Sequence, residues 1–185
     1  NNIQVEREDC NEVTKLVLDG SKAVFPAAYE ALSWLSKLAK KAFDKGSKRL
    51  QWTTPTEDLI DLSYNELGII TIYTELMGKV NAAIGEIEDA PNIKSMKTAF
   101  PPSLVHSYDS ALCKEAFHDW NKPICLIHDC LRVSCNDMED ALDRIKNKFQ
   151  AVCAGDPLAK LADDLGVSET ELKRLPQGED SLLRQ

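Results

Sequence analysis

An aspartate beside a histidine is the pair of residues in this sequence best suited to chemistry. Asp129 follows His128 between two mostly apolar segments, at 124–127 and 131–135. A carboxylate between buried strands costs free energy unless it is hydrogen-bonded, paired with a cation or bound to a metal ion. Asp129 is therefore either a turn aspartate that bonds its own backbone or a ligand of a divalent cation such as Mg²⁺, which prefers oxygen ligands.

Other residue types exclude several classes of site. The three histidines, His106, His118 and His128, show no HExxH spacing, and none of the six cysteines forms a CxxC pair, so a zinc site is not expected. The sequence has no Gly-x-Ser-x-Gly elbow and no glycine-rich phosphate loop, which excludes the common hydrolase and P-loop sites. Four cysteines lie in apolar or strand-like surroundings, which predicts reduced, buried thiols and a reducing compartment.

The elements around Asp129 are predicted from the apolar pattern. Residues 124–127 form a continuous apolar run, typical of a buried strand, and apolar residues then alternate from Leu131 to Cys135. The pattern predicts a small antiparallel hairpin over 124–135 with Asp129 at its tip. Asn136, with Glu139 three residues later, resembles a capping box and predicts the start of a helix over 137–153.

The rest of the chain predicts a helix-rich α+β fold with a second strand pair near 50–76. Pro26 is either in the first turn of a helix or at a kink in a longer helix that starts near residue 11. The other predicted elements are a helix over 24–43, strands over 50–54 and 69–76, an irregular stretch over 81–103 with one short helix near 93–99, and a helix over 106–120.

Two short helices are predicted at the C-terminal end, near 158–165 and 168–175. Ser168 and Glu171 form a second capping-box pattern. The spacing over 157–175 is similar to a helix-turn-helix, which leaves open a non-enzymatic DNA-associated protein. Glu169 and Glu171 begin the second helix, however, where they would face phosphates.

Charge is unevenly distributed along the 185 residues. The formal net charge is −8, yet the window 37–49 holds six basic residues and one acid, a local charge of +5. Such a stretch is either a solvated helix end or a contact for phosphates. No apolar run approaches the length of a membrane span, and the polar, acidic start is unlike a secretory signal, so we expect one domain, with or without a small appendage, and no membrane partner.

Four segments resemble the single-subunit RNA polymerases of phages and mitochondria. Ile-His-Asp-Cys at 127–130 is similar to the palm hairpin called motif C, and Val-His-Ser-Tyr-Asp at 105–109 is similar to the His-Ser-x-Asp segment of that family. Gln-Trp-Thr-Thr-Pro at 51–55 resembles the Trp-x-Thr-Pro strand, and Ala-Leu-Ser-Trp-Leu at 31–35 resembles the helix that precedes it. The order and spacing of the segments extend the resemblance over nearly the whole chain.

The resemblance implies DNA-templated RNA synthesis from ribonucleoside triphosphates by a two-metal mechanism with Mg²⁺. It implies that Asp129 is a catalytic metal ligand, that His128 orients Asp129 or the primer end, and that His106 contacts the nucleic-acid minor groove near the growing end. It further implies an insertion of the promoter-reading type over 50–104, the palm with motif C over 105–155, and C-terminal helices over 156–185. The compartment would be the cytoplasm of a phage-infected bacterium, with an organelle as the alternative.

The sequence also departs from the family pattern. Leu112 occupies a position where the family has a histidine, and the family's first catalytic aspartate and its catalytic lysine are not found. We therefore expect the C-terminal portion of a longer polymerase, whose missing N-terminal part is a partner, or a subunit of a split polymerase. Either way, this chain is expected to be inactive alone.

Overall fold

The computed structural model describes residues 7–127 and 130–175, and over these residues the chain has the predicted helix-rich α+β architecture. Its three sheets are separate antiparallel hairpins of two strands each. The elements are α1 (Arg7–Val24), α2 (Pro26–Asp44), β1 (Leu50–Thr53), β2 (Leu59–Leu62), β3 (Asn65–Thr74), β4 (Gly78–Pro91), α3 (Ile93–Phe117), β5 (Ile124–Ile127), β6 (Cys130–Val133), a 3₁₀ turn (Cys135–Asp137), α4 (Met138–Ala154) and α5 (Pro157–Asp164).

The main core forms around α2. Pro26 lies in its first turn, where a missing backbone N–H costs nothing, and Phe25 separates it from α1. One face of α2 buries five residues at helical spacing, among them Trp34 and Leu38, against β1, α3 and α5. The other members of this cluster include Leu50, Trp52, Leu62, Phe100, Leu104, Leu161 and Val167.

The strands predicted at 50–54 and 69–76 both exist, but they belong to two different hairpins. β1 pairs with β2, so that Leu50 lies opposite Leu62, and β3 pairs with β4, so that Tyr73 lies opposite Lys79. The sequence pattern predicts irregular structure from residue 81. This prediction is wrong for residues 81–91, which belong to β4 and pair with β3. Gly78, at a φ of +65°, supplies the left-handed conformation needed at the end of the turn.

The predicted gap between a short helix near 93–99 and a helix over 106–120 is also wrong. α3 is one helix from Ile93 to Phe117, with both prolines inside it. A proline inside a helix costs about 3 kcal/mol. The two prolines therefore cost about 6 kcal/mol together. Met96 and Phe100 are fully buried and Leu104 nearly so, and at roughly 1.5–3 kcal/mol each the three burials together contribute about as much.

A second, smaller core joins the hairpin β5–β6 to α3 and α4. Ala116, Phe117 and Ala141 are buried, and Trp120, Ile124, Leu131, Val133 and Ile145 pack against them. The predicted Asn136 cap is wrong: α4 begins after a 3₁₀ turn that contains Asn136, and its cap residue Asp137 makes no side-chain cap bond. The carboxylate of Asp137 instead accepts a hydrogen bond from Lys122 at 2.7 Å.

The C-terminal region confirms one of its two predicted helices. α5 is capped by Asp156, whose carboxylate accepts a hydrogen bond from the backbone N–H of Ala159. Residues 168–172 form a single turn rather than a helix. The Ser168 and Glu171 contact is present, since the backbone N–H of Ser168 donates to the Glu171 carboxylate at 2.9 Å, but residues 168–175 contain no helix. The helix-turn-helix reading of 157–175 is therefore wrong.

All six cysteines lie among the described residues, and none forms a disulfide. Their predicted burial is wrong, because Cys10, Cys125, Cys130 and Cys135 are exposed and the other two are half-buried. Cys125 and Cys130 are exposed because the outer face of the β5–β6 hairpin has no element packed on it among the described residues. No helix in the described part of the chain is long and apolar enough to cross a membrane.

Candidate nucleic-acid and catalytic site

The candidate site is an open cavity of about 1050 Å³ between α3, the hairpin β5–β6 and α4. α3 contributes His106 and Asp109, and the hairpin contributes Leu126, Cys130 and Leu131. The predicted residue His106 therefore lies on the same cavity as the two strand ends that flank the predicted aspartate. The remaining lining residues are Ser110, Leu112, Cys113, Lys114 and Ile145.

The hairpin is held by four paired positions. Ile124 lies opposite Val133 and Ile127 lies opposite Cys130. His128 and Asp129 lie outside the described residues, so their positions as predicted site residues remain predictions. The inward alternation predicted for Leu131 and Val133 is confirmed, but Leu126 and Ile127 are 44% and 47% exposed, so the first strand is less buried than its apolar run predicted.

His106 and Asp109 lie one turn apart on the exposed side of α3, because Leu104 and Ala111 are buried on the other side. Leu112, which replaces the histidine of the family pattern, lines the same cavity. The structure thus gathers His106, Asp109 and Leu112 around one space. An imidazole and a carboxylate there can bond polar groups of a bound nucleic acid, and Leu112 contributes only apolar surface.

A hydrogen bond between the segments 51–55 and 105–109 fixes the register of α3. The indole N–H of Trp52 on β1 donates to the Ser107 hydroxyl on α3 at 3.0 Å, and that hydroxyl donates to the carbonyl of Leu104 at 2.8 Å. Trp52 also contacts Phe100 edge to face, with ring centroids 5.5 Å apart. Ser107 follows His106 directly, so this bond sets how His106 projects. The similarities at 51–55 and 105–109 were independent of each other, and neither predicted this contact.

The turn between β1 and β2 is anchored by charges from two helices. Lys114 of α3 donates to both carboxylate oxygens of Asp58 at 2.8 Å, and this bond, with one from Thr56, holds the pKa of Asp58 below its ordinary value. The carboxylate of Asp164 accepts a hydrogen bond from the backbone N–H of Thr53 at 2.7 Å. Both partners lie far from the turn in sequence, so neither contact could be read from local patterns.

A charged cluster around Trp120 positions α4 against α3. Arg144 donates to Asp119 at 2.6 Å and lowers the pKa of that carboxyl, and it also lies over the Trp120 ring. Lys122 lies over the same ring, and its bond to Asp137 raises the pKa of the ammonium group. These contacts are mostly exposed, so we interpret them as positioning α4 and the hairpin, with little net stability.

A second cavity, of about 330 Å³, lies on the other side of α3, between α3, α4 and α5. Tyr108, Lys148 and Lys160 line it. Burial raises the pKa of the Tyr108 hydroxyl, and the nearby Asp164 carboxylate adds to the effect. Lys148 is paired with Glu115 at 3.0 Å, and Lys160 donates to the carbonyl of Thr54 at 3.4 Å. We interpret this cavity as a packing gap between helices.

The described residues do not form a metal site by themselves. No group of three or more histidine, cysteine, aspartate or glutamate side chains in the described ranges is close enough to hold a metal ion. Asp109 is the carboxylate among the residues that line the larger cavity. A metal ion at this site would therefore need ligands from outside the described residues.

The comparisons with known proteins bear directly on this arrangement. The family model described as DNA-dependent RNA polymerase matches residues 4–178. The chain belongs to the DNA-dependent RNA polymerase family. The resemblance stated from 31–35, 51–55, 105–109 and 127–130 is thereby confirmed at the level of the family.

Similar polymerases come from a phage and from plant organelles. The chain is 29% identical over 163 residues to the DNA-directed RNA polymerase of Pseudomonas phage phiKMV, a match that covers 86% of this chain and 20% of the phage protein. It is 27% identical over 194 residues to the mitochondrial DNA-directed RNA polymerase 1 of Nicotiana sylvestris, covering 96% of this chain and 19% of the plant protein. The chain therefore spans about one fifth of the length of these relatives.

Proposed function

We propose that this chain is part of a DNA-directed RNA polymerase that joins ribonucleotides to the 3′ end of an RNA on a DNA template. The observation that carries the proposal is the shared cavity of His106 and the β5–β6 hairpin in a chain of the polymerase family. The relatives are phage and organellar polymerases, so the host is a phage-infected bacterium or an organelle.

In this proposal Asp129 is one ligand of two Mg²⁺ ions. When bound, such ions activate the RNA 3′ hydroxyl and stabilise the leaving pyrophosphate. His128 orients Asp129 or the primer end, and His106 contacts the minor groove beside the growing end. The other carboxylates come from a longer chain or from a second subunit, because one carboxylate cannot hold two ions, and the chain alone is inactive.

The residues of this chain prepare the site in two ways. Ile124, Leu131 and Val133 anchor the hairpin on the second core, which holds its two described strands beside the cavity. Leu126, Leu131 and Leu112 give the cavity apolar walls. Trp52 holds α3, and with it His106, through Ser107.

We also propose the segment roles that the resemblance implies: an insertion of the promoter-reading type at 50–104, the palm at 105–155 and the C-terminal helices at 156–185. The boundary at 104 and 105 lies inside α3, so the first two segments share that helix. The hairpin β3–β4 carries five acids and one lysine, Lys79. We therefore expect any DNA contact of this hairpin to use exposed side chains near its tip, such as Tyr73 and Met77, rather than attraction of phosphates.

The test is RNA extension by this chain mixed with an upstream polymerase fragment that carries the missing aspartate. With Mg²⁺, ribonucleoside triphosphates and a primed DNA template, we expect extension, and we expect Asp129→Asn to abolish it. The amide keeps the size of the side chain but removes the charge that would hold a cation.

The matched control is Asp143→Asn. Asp143 is an exposed aspartate of α4 that forms no ion pair with the described residues, so its variant removes the same charge outside the cavity and should retain full activity. Full activity of the Asp129 variant would refute the assigned role. Docking of the two fragments is checked by co-purification, so that a failure to assemble is recognised separately.

A further inference from the structure

We propose that one exposed face of α2 and the adjoining C-terminal segment bind the phosphodiester backbone of single-stranded nucleic acid. The face, which we call the basic face, consists of Lys37, Lys40, Lys41 and Lys173. This proposal rests on the proposed function, since it places a nucleic-acid contact of the polymerase outside the cavity that holds His106.

The structure divides the basic window 37–49 into two halves. Lys45 pairs with Glu171 at 2.6 Å, Lys48 with Asp89 at 3.1 Å, and Arg49 with Asp61 at 2.9 Å. These three cations join the end of α2 and the loop after it to the rest of the fold. Lys37, Lys40 and Lys41 are exposed and make no ion pair within the described part of the chain.

The three unpaired lysines lie on one side of α2. Their spacing of i, i+3 and i+4 places them next to one another on the helix surface. The buried residues Leu35, Leu38 and Ala42 lie on the opposite side, against the main core. Core packing therefore presents the three ammonium groups to solvent together.

A fourth lysine joins them from the far end of the sequence. The indole N–H of Trp34 donates to the carbonyl of Lys173 at 2.9 Å, which holds the C-terminal segment against α2. Lys37, Lys173 and Arg174 then line one cavity of about 280 Å³. Arg174 is within 3.4 Å of Asp163, so we count only Lys173 as a further free charge of the face.

Phosphate is the ligand chemistry that suits this face. Glu30 lines the same cavity and Asp44 lies on the same helix, so the face is not uniformly basic, but four lysines still exceed these two acids. In a chain of net charge −8, a concentrated group of cations without carboxylate partners attracts a polyanion locally. A flexible single strand can bring its phosphates to such a short row of ammonium groups more readily than a stiff duplex can.

The experiment measures binding of a labelled single-stranded RNA and of the same sequence as single-stranded DNA to the full chain at several salt concentrations. Neither Mg²⁺ nor nucleotides are added, so the result does not depend on catalysis. The test variant combines Lys37→Gln, Lys40→Gln and Lys41→Gln. Each lost phosphate contact lowers the slope of log K against log salt by about 0.7, so the triple variant should lose about 2 from that slope and bind at least about tenfold more weakly at low salt.

The matched control combines Lys15→Gln, Lys94→Gln and Lys146→Gln, which removes three exposed lysines of α1, α3 and α4. Circular dichroism confirms that both variants stay folded. A loss confined to the basic-face variant supports the proposal, and the preferred strand then identifies RNA product or DNA template as the source of the phosphates. Equal slopes in the two variants, or no binding by the unmodified chain, would overturn it. Full extension by the Asp129→Asn variant would refute the role of Asp129 in the proposed function, and it would leave the binding result for the basic face unchanged, so the two failures are distinguishable.

Discussion

At the scale of single residues, several residues in the segments named in the sequence analysis are held by partners far away in the chain. Ser107 accepts from Trp52, Thr53 donates through its backbone N–H to Asp164, and Lys45 bonds both the carbonyl of Gly166 and the Glu171 carboxylate. His106 has its direction set by its neighbour Ser107. Asp129, the residue with the clearest chemical signal, is the one for which position remains a prediction.

The pKa of Glu171 gives a test at this scale. The bond from Lys45, with further bonds from Ser168, lowers this pKa from 4.5 to about 2. Because the folded pKa is the lower one, the contact stabilises the C-terminal turn above pH 4.5, and this contribution is lost as the pH falls towards 2. We expect Lys45→Gln to raise the pKa of Glu171, measured by NMR titration of its side-chain carboxyl carbon. Lys40→Gln, which removes an unpaired charge, should leave it unchanged, and the same pKa in both variants would contradict the assigned contact.

At the scale of elements, α3 is the helix that brings the segments 51–55 and 105–109 and the β5–β6 hairpin together. It passes from the end of the hairpin β3–β4, past Trp52, to the second core beneath β5–β6. The same helix therefore carries His106 on the cavity and Phe100 in the main core. Its continuity through Pro101 and Pro102 is what couples the two cores.

The bond between Trp52 and Ser107 tests this coupling. Ser107→Ala leaves the buried indole N–H of Trp52 without its partner, which should lower the free energy of unfolding by about 1–3 kcal/mol. Ser110→Ala, on the exposed side of α3, should change it by less than about 0.5 kcal/mol. Urea unfolding followed by tryptophan fluorescence measures both values. If the two alanine variants prove equally stable, the bond does not hold α3 in place.

At the scale of the whole molecule, the described residues form two cores with a large hairpin outside both. Neither core includes a residue of β3 or β4. Ile69, Tyr73, Leu76 and Met77 of this hairpin are all more than half exposed. Apolar side chains exposed to this extent are typical of a surface that contacts another molecule or another part of a longer polymerase.

Replacement of residues 67–88 by a short glycine–serine connection tests this division. Because both cores remain complete, we expect the melting temperature to change by less than about 4 °C. Leu38→Ala is the control that shows the assay detects core damage, since Leu38 is fully buried and its truncation should cost about 2–5 kcal/mol. A fall in the melting temperature of the shortened chain as large as that of the Leu38→Ala variant would show that the hairpin supports the fold.

The sequence by itself determined the family, the helices with strong apolar spacing and the hairpin at 124–133. These features depend on local patterns: Leu35, Leu38 and Ala42 repeat at helical spacing, and Leu131 and Val133 alternate, so each could be read without knowing its neighbours. Only the tertiary structure decided where α3 continues, which strands pair, and that the second C-terminal helix is a single turn. Burial of Met96, Phe100 and Leu104 offsets two prolines, and β4 forms because β3 offers it partners. The meeting of Trp52 with Ser107, of Lys37 with Lys173, and of His106 with the β5–β6 hairpin likewise depends on packing between residues distant in the chain, which no local pattern records.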